Sequence, residues 1–187
     1  MNKTDRARWD DALRFAATMH GSQMRKGTSL PYITHPIGVA ELLGRYYPTN
    51  SDLAIAGLLH DTVEDTAATS EQIRSLFGPA VAALVDGVTK RDGANWRETR
   101  QMQIDKIASV ELDVVRLKLA DAMHNASSVL ADLRSEGPAV WKRFRATPAD
   151  VCWYYGGLLT AIHARLGSEP LVSAYGTVVA ELARRRA

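Results

Sequence analysis

The sequence contains a single cysteine, Cys152, among its 187 residues. One cysteine excludes an intrachain disulfide and a zinc site built from cysteine pairs. No apolar run approaches the roughly 20 residues that a membrane helix needs, and the charged N-terminal residues lack the apolar core of a signal peptide. The net charge is only +2, with acids and bases interspersed. The chain therefore lacks the overall positive charge that would attract nucleic acid. We therefore expect a soluble, cytoplasmic protein without nucleic-acid or membrane partners. The sequence also allows a homo-oligomer.

The hydrophobic pattern predicts an all-α fold in one domain over residues 1–187. Hydrophobic residues make up 46% of the chain and charged residues 24%, as in ordinary globular proteins. Apolar positions recur at helical spacing, and Gly21, Gly78-Pro79 and Gly137-Pro138 separate the periodic stretches. The β-branched residues after Leu112 allow a strand, but the continuous stretch to Leu133 is too long for one and favours a central helix. We expect about eight to ten helices.

The stretch from Leu58 to Asp65, LLHDTVED, holds the densest group of side chains that can bind a metal ion or transfer a proton. Its apolar residues predict a buried helix, in which His60 and Glu64, and likewise Asp61 and Asp65, lie one turn apart on a shared face. Carboxylates and an imidazole at the end of a core helix call for a compensating ion or a solvent cleft. A solvated helix end with no further role is the alternative.

Two more positions supply metal-binding side chains at a distance in sequence. His35 precedes Pro36, which places it at a junction between a loop and a helix, and Asp121 lies in the middle of the long central helix. Together with His60 and Asp61 they give two imidazoles and two carboxylates, a set that suits manganese, iron or zinc better than magnesium or calcium. Each also has an ordinary alternative: His35 as a turn residue, and Asp121 as the ion-pair partner of Lys118.

Five ordered blocks resemble the HD superfamily of metal-dependent phosphohydrolases. The resemblance is closest to the hydrolase domain of RelA/SpoT proteins and to free-standing small alarmone hydrolases of the metazoan-SpoT-homologue type. It spans about residues 15–134. The blocks are HGSQMRK from His20, PYITHP from Pro31, LLHDTVED from Leu58, FGPAVAALVDGVTK from Phe77, and KLADAMHN from Lys118.

The resemblance implies a single HD-domain helical bundle that hydrolyses the 3′-pyrophosphate of (p)ppGpp or (p)ppApp, the nucleotides of the stringent response. It implies one divalent ion, expected to be Mn²⁺, and a nucleotide substrate. The implied metal ligands are His35, His60, Asp61 and Asp121. The implied acids that position and deprotonate water are Glu64 and Asp65. The implied nucleotide contacts are Arg25 and Lys26 for base and phosphates, and Tyr32, Asn125 and Ser128 for the ribose and base pocket.

The sequence departs from the family pattern in the loop from Arg25 to Pro31, which is one residue longer, and at Ala122, where an arginine is common. Whether Arg97 or Arg100 contacts substrate stays open, as do the preferred purine and the native metal.

Three alternatives remain: another HD reaction, on NADPH or nucleoside monophosphates; a non-catalytic module that binds alarmone; and a structural metal site. At this length there is no room for a synthetase domain, so an alarmone enzyme would only degrade. We expect His163, on an apolar helix, to be packed.

Overall fold

The computed structural model describes residues 3–90, 93 and 95–186. Within these residues the chain forms ten α-helices, one 3-10 helix and no β-strand, so the all-α prediction is confirmed. The helices, in order, are α1 (Lys3–His20), α2 (Thr34–Tyr46), α3 (Ser51–Leu59), α4 (Thr62–Asp65), α5 (Ser70–Phe77), α6 (Pro79–Val88), α7 (Trp96–Lys106), α8 (Leu112–Glu136), the 3-10 helix (Gly137–Arg143), α9 (Pro148–Leu166) and α10 (Pro170–Arg184).

Local signals account for most of these boundaries. The side chain of Asn50 accepts a hydrogen bond from the Leu53 N–H and caps α3, as expected for a helix that begins at Ser51. Thr69 and Gln72 form a reciprocal capping box at α5, which satisfies two backbone donors. The central helix α8 ends where Gly137 adopts a φ of +69°, a left-handed backbone conformation that glycine adopts at low cost.

The residues fall into two compact units. The first comprises the chain up to Thr89 together with Arg116–Ala120 of α8. Its core is apolar and almost completely buried, and includes Ala16, Val39, Leu43, Ile55, Leu58, Leu59, Ile73, Val85, Leu117 and Leu119. Helix α3 is central to this unit, because every residue from Leu53 to Leu59 is buried. That pattern is typical of a helix surrounded by others.

Gly57 sets how closely α2 and α3 approach each other. A Cβ added to Gly57 would lie 2.9 Å from Leu43 Cδ1 and 3.0 Å from Ala40 Cα. The second contact is with backbone, which cannot rotate away. Since His35 stands on α2 and His60 follows α3, this close packing also fixes the spacing of the two imidazoles.

The second unit comprises Lys90–Val115 and the chain from Asp121 onward. Helix α9 packs against both α7 and α10, over a core that includes Leu158, Ile162, Leu171 and Tyr175. The Tyr175 hydroxyl donates to the Tyr155 carbonyl at 3.1 Å, which satisfies the polar end of a fully buried ring. The prediction that residues 1–187 form a single domain stays a prediction.

Two expectations about helices and packing are wrong. The helix predicted through LLHDTVED is interrupted: α3 ends at Leu59 and α4 begins at Thr62. Here the Thr62 hydroxyl donates to the Leu59 carbonyl and the His60 ring contacts the Gly57 carbonyl, at 2.7 and 2.9 Å, so side chains occupy acceptors at the end of α3. His163, predicted to be packed, is exposed and lines a cavity of about 390 Å³ between α9 and α10.

Candidate metal centre

His60 is held in a defined orientation at the end of α3. The ring is 3% exposed, and its Nδ1 lies 2.9 Å from the Gly57 carbonyl oxygen. Because a carbonyl oxygen only accepts, Nδ1 must carry a proton, and in the neutral ring the lone pair is then on Nε2. A hydrogen bond from one ring nitrogen to a backbone carbonyl is the usual way in which proteins orient a metal-binding histidine.

His35 lies in the first turn of α2 and is 1% exposed. The turn before it is held by the Thr34 hydroxyl, which donates to the Pro31 carbonyl at 2.7 Å, and by the His35 N–H, which donates to the Tyr32 carbonyl. The predicted junction between loop and helix at His35 is therefore confirmed. Its ring lies edge-on to that of His60, with centroids 5.0 Å apart.

One oxygen of Asp61 faces both imidazoles. Asp61 Oδ2 is 3.1 Å from His60 Nε2 and 3.4 Å from His35 Nε2. Burial disfavours the charged carboxylate, but when the two imidazoles are protonated, the charge of His60 and hydrogen bonds from His35 and His60 outweigh it and hold the pKa of Asp61 well below its usual range. Asp61 is therefore ionised near neutral pH, as a metal ligand must be.

Asp121 completes a compact group of donors. It follows directly the part of α8, Arg116–Ala120, that belongs to the first unit, and one ligand atom each from His35, His60 and Asp121 lie within 4.8 Å of one another. Donors bound to one ion at about 2.1 Å lie up to about 4.2 Å apart, so the group is close to the size of a coordination sphere. These three donors fit a divalent ion, and Asp61 lies beside the two histidines without being part of this group of three.

Asn125 supports Asp121 from one turn further along α8. Its Nδ2 donates to Asp121 Oδ1 at 2.5 Å, which orients the carboxylate. The family resemblance gave Asn125 only a contact with substrate. The interaction with Asp121 was missed, although the four-residue spacing allowed it.

The two acids beyond the ligands lie on α4, and both are exposed. Asp65 is contacted by Tyr32, whose hydroxyl lies 2.8 Å from Asp61 Oδ2 and 3.1 Å from Asp65 Oδ2. Burial, followed by the neighbouring Asp61 and Asp65, raises the pKa of Tyr32 above its ordinary value. The hydroxyl is thus protonated at neutral pH and acts as a donor to carboxylates.

The loop between α1 and α2 carries the basic residues predicted to bind a nucleotide. The Arg25 guanidinium lies 5.7 Å from the centre of the Tyr32 ring, Lys26 is exposed, and the loop is closed by the Arg25 N–H, which donates to the Leu30 carbonyl. Both cations belong to the first unit, as do His35 and His60. Their contacts with substrate stay predictions.

In the second unit, Ser128 and two arginines have identifiable partners. The Ser128 hydroxyl donates to the His124 carbonyl at 3.0 Å. Arg97 pairs with Asp150 at 2.6 Å and lies over the ring of Trp153, whereas Arg100 donates to Gln103 and lies over Tyr154. The two arginines therefore contribute to packing between α7 and α9.

Residues 12–152 match the family model for the HD domain. The chain belongs to the HD-domain family. The resemblance found in the sequence is thereby confirmed, over three quarters of the protein and across every element that carries His35, His60, Asp61 and Asp121.

Among relatives, the chain is 37% identical over 147 residues to guanosine-3′,5′-bis(diphosphate) 3′-pyrophosphohydrolase MESH1 of Danio rerio, covering 78% of this chain and 79% of that protein. It is 36% identical over 127 residues to guanosine-3′,5′-bis(diphosphate) 3′-pyrophosphohydrolase of Haemophilus influenzae, of which it spans only 18%. A similarly named Synechocystis protein is matched over 16% of its length.

Solved structures give the same result for the HD-domain fold. A crystal structure of a Listeria monocytogenes EGD-e protein superposes with a TM-score of 0.74 at 33% identity, covering 80% of this chain and 99% of that one. A structure described as a metazoan ortholog of SpoT that hydrolyses ppGpp superposes with a TM-score of 0.75 at 29% identity, and covers 96% of each chain. Among the described residues, no helix combines the length and apolar character needed to cross a membrane.

Proposed function

We propose that this protein is a metal-dependent hydrolase that removes the 3′-pyrophosphate from (p)ppGpp- or (p)ppApp-type alarmones. The single observation that carries the proposal is the group formed by His35, His60 and Asp121, whose ligand atoms lie within 4.8 Å of one another. Membership of the HD-domain family and the names of relatives of similar length supply the substrate class.

We assign the ion to His35, His60, Asp61 and Asp121, with Mn²⁺ as the expected occupant. When bound, a divalent ion lowers the pKa of a coordinated water towards about 7 and polarises phosphoryl oxygens. The two imidazoles supply nitrogen donors, and in His60 the Gly57 carbonyl holds the ring proton at Nδ1. Mixed nitrogen and oxygen donors favour manganese, iron or zinc over calcium.

In the reaction, water attacks the phosphorus bonded to the ribose O3′, and the bond between that phosphorus and O3′ breaks. O3′ is the leaving group and gains a proton, while the attacked phosphorus keeps the water oxygen and is released as pyrophosphate after one proton of that water has been taken up. Glu64 and Asp65 are the groups assigned to the water proton, because both carboxylates are exposed on α4 within a few residues of Asp61. A carboxylate placed to accept a proton from attacking water contributes about 10²–10⁴-fold to rate.

The same proposal assigns the substrate contacts. A guanidinium such as that of Arg25 stacks on a purine ring, whereas the ammonium of Lys26 offsets phosphate charge. Tyr32, Asn125 and Ser128 are assigned to the ribose and base pocket. The cytoplasmic location, the absence of a nucleic-acid partner and the oligomeric state stay predictions.

The test is turnover of the purified protein with Mn²⁺, and with chelator, on ppGpp, ppApp, NADPH and nucleoside monophosphates. We expect pyrophosphate release from an alarmone that stops when the ion is removed. Release of orthophosphate from NADPH or a monophosphate would assign a different HD reaction. Tight binding of alarmone without turnover in the presence of Mn²⁺ would assign a non-catalytic module.

A further inference from the structure

Helix α4 cannot define its own position. It comprises only Thr62–Asp65, and helices this short are unstable in water unless other parts of the protein hold them. Yet it carries Glu64 and Asp65, the two acids to which the proposed reaction assigns the proton. The positions of these two carboxylates therefore depend on contacts between α4 and residues elsewhere in the first unit.

The first such contact is the hydroxyl of Tyr32. It lies 2.8 Å from Asp61 Oδ2 and 3.1 Å from Asp65 Oδ2. Asp61 precedes α4 and Asp65 ends it, so the one hydroxyl proton, shared between the two carboxylates, links the two ends of the helix. A hydrogen bond to a charged carboxylate is about twice as strong as one between neutral groups.

The second contact is made by Gln23 with the backbone of the same residue. Gln23 Nε2 donates to the Asp65 carbonyl at 2.7 Å. This fixes the orientation of the amide, so its Oε1 accepts from His20 Nδ1 at 2.9 Å. His20 is 2% exposed, so this chain of hydrogen bonds starts at a buried side chain.

Tyr32 and Gln23 also hold each other. The Tyr32 N–H donates to the Gln23 carbonyl at 2.8 Å, and the Tyr32 ring lies against that of His20, with centroids 4.8 Å apart. The loop after α1 thus contacts Asp65 at its side chain through Tyr32 and at its backbone through Gln23, with both contacts anchored on the buried end of α1.

We propose that Tyr32 and Gln23 are positioning residues that hold the Asp65 carboxylate in place beside Asp61. Family resemblance gives Tyr32 a contact with the nucleotide, whereas these hydrogen bonds give it a second task within the protein. The consequence for turnover rests on the proposed function. The anchoring of α4 does not, and is measured separately.

The experiment compares Tyr32→Phe with Tyr46→Phe, a matched control on α2 that removes the same atom away from α4. Amide hydrogen exchange is followed at Asp65 and Thr66, whose N–H groups donate to the carbonyls of Asp61 and Thr62. Loss of a hydrogen bond to a charged group should speed exchange there by about tenfold or more in Tyr32→Phe alone. With an active substrate, kcat should fall by about tenfold or more, while KM stays within about twofold because phenylalanine keeps the ring that the proposed function assigns to the nucleotide pocket.

Gln23→Met is the second variant, since it keeps the length of the side chain and removes both hydrogen bonds. It should speed exchange at the same two amides, and its effect should be less than additive with that of Tyr32→Phe because both act on α4. Unchanged exchange in both variants would overturn the proposal, as would a rise in KM alone for Tyr32→Phe. If the wild type hydrolyses no alarmone, the proposed function fails, while the exchange result still decides whether α4 is anchored in this way.

Discussion

Replacing Gly57 by alanine tests the packing that sets the spacing of His35 and His60. A Cβ at this position would lie 3.0 Å from Ala40 Cα and 3.2 Å from Ala40 N, both backbone atoms of α2. Ordinary contacts need about 0.5 Å more, so α2 and α3 must separate. Overpacking of this kind costs about 1–3 kcal/mol.

Gly44→Ala is the matched control, because Gly44 is also helical and nothing lies within 4 Å of an added Cβ. In both variants alanine gains helix propensity of about 1 kcal/mol, so their difference isolates the clash. For a protein of this size, 1 kcal/mol shifts the melting temperature by roughly 2–4 °C. Gly57→Ala should therefore melt about 2–12 °C below Gly44→Ala.

The assay combines thermal unfolding, followed by circular dichroism, with calorimetric titration of Mn²⁺. Because His35 moves with α2, Gly57→Ala should also bind Mn²⁺ more weakly, whereas Gly44→Ala should bind it as the wild type does. Equal melting temperatures and equal Mn²⁺ affinities in the two variants would refute the argument that Gly57 fixes the spacing of the imidazoles.

Three further changes test the assigned roles. Glu64→Gln should keep Mn²⁺ affinity within about twofold and lower kcat by about 10²-fold or more, as measured by titration and pyrophosphate release. Asp121→Ala should abolish Mn²⁺ binding, which calorimetry detects directly. Thr147→Ala should lower stability by about 1 kcal/mol, because Thr147 caps α9. It should also raise the pKa of Asp150, since the hydrogen bond from Thr147 is the main cause of its lowered value, as carboxyl chemical shifts across a pH titration would report.

The three predictions for Glu64, Asp121 and Thr147 are checked by a control variant or by an outcome that would contradict them. Glu71→Gln, an exposed glutamate on α5, should change neither Mn²⁺ affinity nor turnover. Full turnover in Glu64→Gln, or Mn²⁺ bound by Asp121→Ala, would remove the assigned role. For Asp150 the sign follows from its lowered pKa: its contribution to stability is present above the ordinary carboxyl pKa and is lost as pH falls through the lowered value. Thr147→Ala should weaken that dependence.

Local sequence explains several helix boundaries. Asn50 and Thr69 at helix starts, and Gly137 at the end of α8, act on backbone groups within a few residues, so their effect can be read locally. Family motifs, which combine residues far apart in the chain, also predicted that His35, His60 and Asp121 lie close together, as their ligand atoms do.

Tertiary structure decided what local patterns leave open. The exposure of His163 depends on which face of α9 is covered. The contacts of the Tyr32 hydroxyl with Asp61 and Asp65 join residues 29 and 33 positions apart, a distance over which helical periodicity carries no information. Residue types and local spacing determined which chemistry the chain can perform, while packing, exemplified by Gly57 against Ala40, decided where the groups stand, because close contacts between helices depend on all surrounding side chains at once.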